Sequence, residues 1–287
     1  MRKYIYCFAL LFSVMALFTG CSEDNGTEPG GDSTPVATLF QEDVTKGMSV
    51  DNDMLVRVAT NSATESVYYI ASDSATYKKD FAAMGVDGYN NYVVEKGTKV
   101  EDLGANGVKD VAIKGMEGDY VVTFVAVKGN VKHASSLPFL GLVWSKVASG
   151  KYYFQPQDDG SFGLEDATGL SQKSGVELQK CENVADTYRF KNLYGEGNSL
   201  KFTVVGGPFT SQSGNKYYQL QVDQQLTGFS NAKLGNIFVQ DIASWQNNNA
   251  YQAYNRYFPE LGVVELYLEY GVSAGYFSYG YDEFEAE

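Results

Sequence analysis

The sequence predicts an all-β protein with two successive β domains, at residues 36–140 and 141–287. Three observations predict this class. Short runs of alternating apolar and polar residues dominate from residue 36 onward. The chain is rich in aromatic strand formers, with 22 Tyr and 17 Phe. Thirty glycines, together with Asn and Asp, separate these runs as turn residues do.

The N-terminus predicts a secretory signal peptide at residues 1–20. Arg2 and Lys3 precede an apolar stretch at residues 4–18, and the small pair Thr19-Gly20 follows. The stretch is short for a membrane span and lacks a basic stop-transfer flank. An ordinary secretory signal with a chance cysteine, or a membrane helix, is the alternative.

Thr19-Gly20-Cys21 resembles the lipobox of bacterial lipoproteins, with Phe18 where that motif prefers Leu. The resemblance implies cleavage before Cys21 and acylation of its thiol, and two or three acyl chains anchor a protein firmly. Residues 21–35, rich in Gly, Pro and acid, then form a flexible tether. The acidic pair Glu23-Asp24 resembles the surface-export signal of Bacteroidetes lipoproteins, which implies the outer membrane and the cell surface. The alternative is that these acids only keep the tether solvated.

Charge and cysteine usage exclude several functions. The formal net charge is −13, and it becomes more negative when Arg2 and Lys3 leave with the signal. Such a chain repels phosphate, so we expect no nucleic-acid partner. Cys181 is then the one thiol without lipid, and His133 is the single histidine. We therefore expect no disulfide, no zinc or iron–sulfur metal site and no cofactor, although a carboxylate calcium site stays open.

The first domain contains one helical interruption among its strands. Tyr77, Phe81 and Met84 have helical spacing within residues 75–85, with Ser74 as a start signal and Gly85 as an end signal. The predicted strands are Met54–Thr60, Ser66–Ala71, Lys109–Ile113, Asp119–Val127 and Val131–Phe139.

Gly118-Asp119-Tyr120, the alternation through Val127 and the turn at residues 128–130 resemble a fibronectin type III or immunoglobulin-like sandwich. The resemblance implies that Tyr120 is the tyrosine that makes the corner hydrogen bond of that family. The chain departs from the family in its helical insertion and in lacking an early core Trp. The fold alone predicts no ligand.

The second domain begins near Val143-Trp144 and reads as an antiparallel β-sandwich or a partial barrel. Its predicted strands are Val176–Lys180, Thr187–Leu193, Ser199–Val205, Lys216–Val222, Asn236–Gln240, Gly262–Gly271 and Ala274–Tyr281. Trp144–Tyr152, Tyr188-Arg189-Phe190 and Tyr194-Gly195 resemble uncharacterised C-terminal domains of gut Bacteroidetes lipoproteins. That resemblance implies no activity.

No residue set predicts catalysis, so we expect no enzyme. His133 lies on a predicted surface strand with no nucleophile motif nearby. Glu265 and Glu269 share a strand face at about 13 Å, too far apart for glycoside hydrolysis unless a second strand contributes a carboxylate. We interpret both as residues of a solvated sheet face.

The candidate binding segment is residues 243–259. It combines aromatic rings, on which sugar CH groups pack, with amides and an arginine that bond hydroxyls. The candidate ligand-binding residues are Trp245, Asn247, Tyr251, Tyr254, Arg256 and Tyr257. Tyr251, Tyr254 and Phe258 also have the spacing of a core helix, which is the alternative. The run 276–284 is open in the same way, as a last strand or as an exposed aromatic-acidic patch.

These observations together favour an exported, lipid-anchored cell-surface binding protein without catalytic activity, whose ligand is an extracellular glycan. The first alternative is a structural or assembly module that binds a partner protein. The second is a hydrolase whose carboxylates come from different strands.

Overall fold

A computed structural model describes residues 33–45, 47–155, 164–233 and 235–287. The predicted signal peptide, Cys21 and most of the predicted tether lie outside the described residues. Strands dominate the rest, and the all-β prediction is confirmed.

The first two sheets lie within residues 37–141 and face each other across one core. A three-stranded sheet has the order β1-β2-β5, and a four-stranded sheet has the order β4-β3-β6-β7. All their pairings are antiparallel. The strands are β1 (Ala37–Glu42), β2 (Met54–Thr60), β3 (Ser66–Asp73), β4 (Thr98–Lys99), β5 (Val108–Ile113), β6 (Gly118–Lys128) and β7 (Val131–Gly141).

The core of this sandwich comes from strands in which apolar and polar residues alternate. Val56, Val67 and Phe124 project between the sheets and are fully buried. Tyr120 lies near the start of β6 and packs, partly buried, against the same core. The Tyr120 hydroxyl makes no hydrogen bond to any of the described residues. The corner hydrogen bond that the resemblance implies is therefore not formed there.

The helical insertion is longer than the sequence predicts. Helix α1 spans Ser74–Lys96, and Asp73 rather than Ser74 caps its start by accepting from the N–H of Thr76 at 2.9 Å. Gly85, at φ +67°, interrupts the helix as predicted, but a second helical segment follows it. Tyr89 and Val93 of that segment pack on the outer face of the four-stranded sheet, and this burial stabilises the extension.

Residues 144–286 form an antiparallel barrel whose wall runs β8-β9-β10-β11-β12-β15-β16-β17. The barrel closes because β17 pairs with β16 on one side and with β8 on the other, where Phe284 faces Tyr152. The hairpin β13-β14 attaches to β16 beyond β15. The strands are β8 (Trp144–Tyr153), β9 (Gln172–Cys181), β10 (Thr187–Gly195), β11 (Asn198–Thr210), β12 (Lys216–Gln221), β13 (Gln225–Asn231), β14 (Gly235–Asp241), β15 (Arg256–Phe258), β16 (Val263–Val272) and β17 (Gly275–Ala286). Helices α2 (Leu164–Thr168) and α3 (Ile242–Gln246) and a 3₁₀ helix (Asn249–Tyr254) lie in the connections.

Side chains fill the barrel interior, as expected for a wall of about eight strands. Aromatic residues supply much of this core, including Phe190, Phe284 and Tyr152. One carboxylate, Asp282, is fully buried among them. Its Oδ2 accepts from the hydroxyls of Tyr152 at 2.8 Å and Tyr270 at 2.7 Å. Its Oδ1 accepts from the backbone N–H of Gln155 at 2.9 Å.

Asp51 joins the sandwich to the barrel. This nearly buried carboxylate accepts from Arg189 at 2.7 Å and also pairs with Lys201, both on the barrel wall. The Arg189 guanidinium stacks over Trp144, 4.3 Å from the ring centroid. Burial lowers the pKa of Arg189, and Asp51 opposes that change. Because the partners of Asp51 lie in the other unit, the ion pairs hold the two units together.

Candidate functional site

The candidate site lies on the outer wall of the barrel, where strands β16 and β17 meet the connection between β14 and β15. Seven aromatic side chains form a continuous surface there, which we call the aromatic platform. Its members are Trp245, Tyr251, Tyr254, Tyr267, Tyr276, Tyr279 and Tyr281.

Two short helices position the first three rings. Asp241 caps α3 by accepting from the N–H of Ser244 at 2.6 Å, and its other oxygen accepts from Val222 at 2.7 Å. Asn247 ends α3 in the left-handed conformation, at φ +48°, which asparagine tolerates better than most residues. This tight ending places Trp245 over β17, with its ring centroid 4.6 Å from that of Tyr276.

The 3₁₀ helix carries the next two rings. Side chains three residues apart eclipse in this helix type, so Tyr251 and Tyr254 lie on one side with centroids 5.9 Å apart. Asn248 caps its start by accepting from Ala250 at 3.0 Å. The side-chain amide of Gln252 donates to the Leu220 carbonyl and ties the helix to the barrel wall.

Strand register supplies the remaining rings. Tyr279 and Tyr281 point outward from β17 because successive side chains of a strand alternate between its faces. Tyr267 of β16 faces Tyr281 across the strands, at a centroid distance of 4.6 Å. The buried Asn255 accepts from the Tyr267 N–H at 2.7 Å and fixes the backbone beneath this pair.

The platform is exposed but not flat. Neighbouring centroids are 4.6–6.5 Å apart, and Tyr276 and Tyr279 remain about half exposed at 53% and 52%. Adjacent rings are tilted against each other, from 30° between Tyr251 and Tyr254 to 90° between Tyr267 and Tyr279. Partial burial raises the pKa of Tyr267 and Tyr281, so both hydroxyls are neutral donors at physiological pH.

A small polar cavity of about 240 Å³ adjoins the platform at Tyr281. Arg256, Glu265 and Glu283 line it, and Glu265 faces Glu283 across the two strands. The Arg256 guanidinium lies 3.7 Å from the Glu265 carboxylate. Partial burial raises the pKa of Glu283, and the neighbouring charges of Glu285 and Glu265 add to this effect.

The structure brings four of the six predicted ligand-binding residues to this surface. Trp245, Tyr251 and Tyr254 belong to the platform, and Arg256 lines its cavity. Asn247 lies at the end of α3 with an exposed side chain. Tyr257 is placed differently.

Tyr257 belongs to the barrel core. It is only 8% exposed and packs edge-on against Tyr188 at 5.8 Å. The reason is that residues 256–258 form strand β15, which turns neighbouring side chains to opposite faces. The alternative of a core helix is also wrong for Phe258, which is buried on β15 rather than on a helix.

The predicted ligand-binding residues did not include four platform residues, Tyr267, Tyr276, Tyr279 and Tyr281, although residues 276–284 were left open as an exposed aromatic-acidic patch. For Tyr267, Tyr279 and Tyr281 the signal was present as outward positions of alternating strands, whereas Tyr276 lies beyond the irregularity that shifts the register between Tyr270 and Gly271. The sequence left residues 276–284 as either a last strand or an exposed aromatic-acidic patch. The structure combines the two, since this run is the last strand and its outer face is aromatic and acidic.

Other residues considered from the sequence lie apart from the platform or have structural partners. His133 is exposed on β7, and Cys181 is a buried free thiol. Glu269 is not solvated as expected, because it is 1% exposed and accepts from Gln240 at 2.9 Å. Burial raises the pKa of Glu269. Glu265 is half-buried on the outer face.

Two other kinds of feature, a metal site and a membrane-spanning helix, are absent from the described ranges. No cluster of three or more His, Cys, Asp or Glu residues there has the arrangement of a metal site. No helix in those ranges is both long and apolar enough to span a bilayer.

Fold and surface together define a two-part all-β protein, a sandwich and a closed barrel with an aromatic platform on the barrel wall. No protein-family model matches the sequence, and no curated protein matches it.

Two solved structures show low similarity. One is the cycloalternan-degrading enzyme from Trueperella pyogenes in complex with cycloalternan, at 10% identity and a TM-score of 0.24 over 83% of this chain and 31% of that one. The other is a mutant of Kfla1895 in complex with cyclobis-(1→6)-α-nigerosyl, at 11% identity and a TM-score of 0.23 over 83% and 29%. The chain thus spans about a third of their length, and scores this low do not establish a shared fold.

Proposed function

We propose that this protein is a binding protein without catalytic activity, and that its ligand is an extracellular glycan held on the aromatic platform. The observation that carries the proposal is the run of seven contacting rings on the outer wall. Large exposed apolar patches rimmed by polar groups mark interaction sites. A folded chain gains nothing from leaving Tyr276 and Tyr279 half exposed, whereas a ligand that covers them gains their burial.

The chemistry of the surface matches a sugar. The CH-bearing face of a pyranose is apolar and packs on an aromatic ring, while its hydroxyls need hydrogen-bond partners. Tyrosine hydroxyls, the amides of the α3 loop and the carboxylates at the cavity supply such partners next to the rings.

A second candidate function, binding of a partner protein, rests on strand β13. This edge strand carries Leu226, which is 62% exposed. The edge is partly covered, since the side chain of Gln225 bonds the backbone of Lys201 in both directions, at 2.9 and 2.8 Å. We therefore prefer the platform as the site. A hydrolase is the least favoured function, because the close pair Glu265 and Glu283 lies on an outer wall beside Arg256 rather than in a deep cleft.

The test is a glycan-array screen of the chain from residue 22 onward, followed by calorimetry on any positive glycan. Trp245→Ala and Tyr279→Ala remove platform rings, and Phe40→Ala is the matched control. Phe40 is 52% exposed on β1 of the sandwich, remote from the platform. We expect each platform variant to lose about tenfold or more in affinity and the control to lose nothing.

Two results would contradict the proposal. One is glycan binding that all three variants retain, which would place the site elsewhere. The other is a folded wild type that binds no glycan, which would turn attention to protein partners at β13.

The proposal includes a lipid anchor at Cys21 and the outer membrane as location, on the basis of the sequence of residues 2–24. We expect Cys21→Ala to move the protein from the membrane fraction to the soluble fraction of its native cell. Metabolic labelling with a palmitate analogue provides the direct readout, and a Cys7→Ala variant is the control that keeps both lipid and location. A Cys21→Ala protein that stays with the membrane would exclude this anchor.

A further inference from the structure

We propose that the aromatic platform takes single, soluble chains of a neutral glycan, and that Glu265 and Glu283 exclude anionic glycans. This inference rests on the proposed function and narrows it to one chemical class. Two independent features carry it, the tilt of the rings and the charge beside them.

The tilt of the rings decides between a single chain and a crystalline surface. A crystalline polysaccharide presents a plane and contacts several rings at once only if these are coplanar. Here Trp245 is tilted by 58° to Tyr276 and by 41° to Tyr279. Tyr267 is tilted by 39° to Tyr281 and by 55° to Tyr254. A plane can rest on one of these rings at a time, whereas a chain that rotates about its glycosidic bonds follows all of them.

The rings also define a path rather than a spot. Tyr251 contacts Tyr254, which contacts Tyr267 at 5.7 Å. Tyr267 leads to Tyr279 at 6.4 Å, and Tyr279 leads to Trp245 at 5.8 Å. The path therefore crosses strands β16 and β17, and only an oligosaccharide of several sugar units contacts its whole length.

Charge decides between neutral and anionic chains. Glu265 and Glu283 are cross-strand neighbours at the cavity beside Tyr281, and Glu285 follows on the same strand. Arg256 is already paired with Glu265 at 3.7 Å. Lys151 lies opposite Glu285 on the adjoining strand β8, but the three carboxylates still outnumber Arg256 and Lys151. A uronate or sulfate placed here therefore meets a net negative charge, whereas sugar hydroxyls donate hydrogen bonds to the same carboxylates.

The test compares three kinds of probe by affinity electrophoresis and calorimetry at low salt, with the chain from residue 22 onward. Soluble neutral β-glucan, galactomannan and xylan represent the proposed class, polygalacturonate and heparin the anionic class, and microcrystalline cellulose the planar class. We expect Trp245-dependent binding to a neutral polymer. The affinity for polygalacturonate should be weaker by at least about tenfold, and the protein should not sediment with cellulose.

A double variant, Glu265→Gln with Glu283→Gln, tests the role of the carboxylates. It keeps the side-chain size and one acceptor oxygen on each residue, but it removes two negative charges and the charge partner of Arg256. We expect the ratio of its affinities for the neutral polymer and for polygalacturonate to fall by about tenfold. Added salt should lower the same ratio for the wild type. Glu101→Gln, on the exposed surface of the sandwich, is the matched control and leaves discrimination unchanged.

The outcomes separate this inference from the proposed function. Trp245-dependent binding to heparin, polygalacturonate or cellulose in preference to neutral chains overturns the inference and leaves the platform as a glycan site. Unchanged discrimination in the double variant overturns the role of the carboxylates. A folded protein that binds none of the probes overturns the inference and the proposed function together.

Discussion

Asp282 gives the sharpest prediction about stability, because it is a fully buried carboxylate inside the barrel. Burial raises the pKa of Asp282 to about 6, although hydrogen bonds from Tyr270, Gln155 and Tyr152 work against this rise. In the unfolded chain the same group titrates near its ordinary pKa of 3.8.

The sign follows from the protons bound in each state. Between about pH 4 and pH 6 the folded protein holds a proton on Asp282 that the unfolded chain has lost, so raising the pH through this window destabilises the fold. The stabilisation from the neutral carboxyl is complete below the unfolded pKa and is lost as the pH passes the folded pKa. A difference between about 6 and 3.8 corresponds to about 3 kcal/mol, at ~1.36 kcal/mol per pH unit.

The perturbation is Asp282→Asn, which keeps the size of the side chain and removes its titration. We expect the free energy of unfolding of the wild type, minus that of the variant, to fall by about 2 kcal/mol from pH 4 to pH 7, since part of the full effect lies below pH 4. Pairing the two proteins cancels the titration of every other carboxylate.

Urea unfolding at constant ionic strength measures this difference. Both tryptophans of the chain lie in the barrel unit, so their fluorescence reports on the relevant transition. Asp43→Asn, at an exposed position after β1, is the matched control for the removal of one carboxylate. A difference for Asp282→Asn that is flat, or that rises with pH, would refute the reasoning.

Two further predictions concern the junction and the seam of the barrel. Asp51→Asn leaves the half-buried Arg189 without its charge partner. We expect the free energy of unfolding to fall by about 3 kcal/mol and the chain between the two units to be cleaved faster by a protease. An unchanged rate of cleavage would show that Asp51 does not hold the two units together. Gly150→Ala places a Cβ against the carbonyl of Glu285, where β8 closes on β17, and we expect a loss of at least 1–3 kcal/mol. Gly104→Ala is the matched control, because the new Cβ there meets only the Glu65 carbonyl oxygen at an ordinary contact distance of 3.8 Å. Equal melting temperatures for the two variants would contradict a tight seam.

Local alternation predicted the strands well. The run Met54–Thr60 coincides with β2, and the run Val131–Phe139 lies within β7. The closure of the barrel could not be predicted in this way. It depends on pairing β17 with β8, segments more than a hundred residues apart, and the period of a strand does not specify its neighbour. Helix α1 was predicted too short because its second half depends on tertiary packing of Tyr89 and Val93.

The candidate site was predicted in the same partial way. Trp245, Tyr251 and Tyr254 stand in one polar-aromatic segment, which the sequence displays directly. Tyr267 and Tyr279 join them only because register brings β16 and β17 under the two short helices. Tyr257 was predicted to bind ligand because its neighbours in sequence were. In the structure, the alternation of side chains along β15 points it into the core.

Strand β17 connects the stability of the barrel to the platform. Its outward residues Tyr279 and Tyr281 are platform rings, and its inward residues Asp282 and Phe284 belong to the core. A slip of one residue would exchange these faces, placing Tyr281 inside and the carboxylate of Asp282 outside. We infer that the hydrogen bonds of Asp282 help to fix this register, at a cost in stability near neutral pH.

Replacing Asp282 with leucine tests that inference, since it removes the acceptor and keeps an inward side chain of similar size. We expect the near-ultraviolet circular dichroism of the contacting rings to weaken and platform binding to fall, even where the melting temperature rises. Asp282→Asn retains an acceptor oxygen, so it should preserve both signals. If Asp282→Leu keeps the dichroism and the binding of the wild type, core packing around Phe284 fixes the register without the carboxylate, and Asp282 contributes only to the pH dependence of stability.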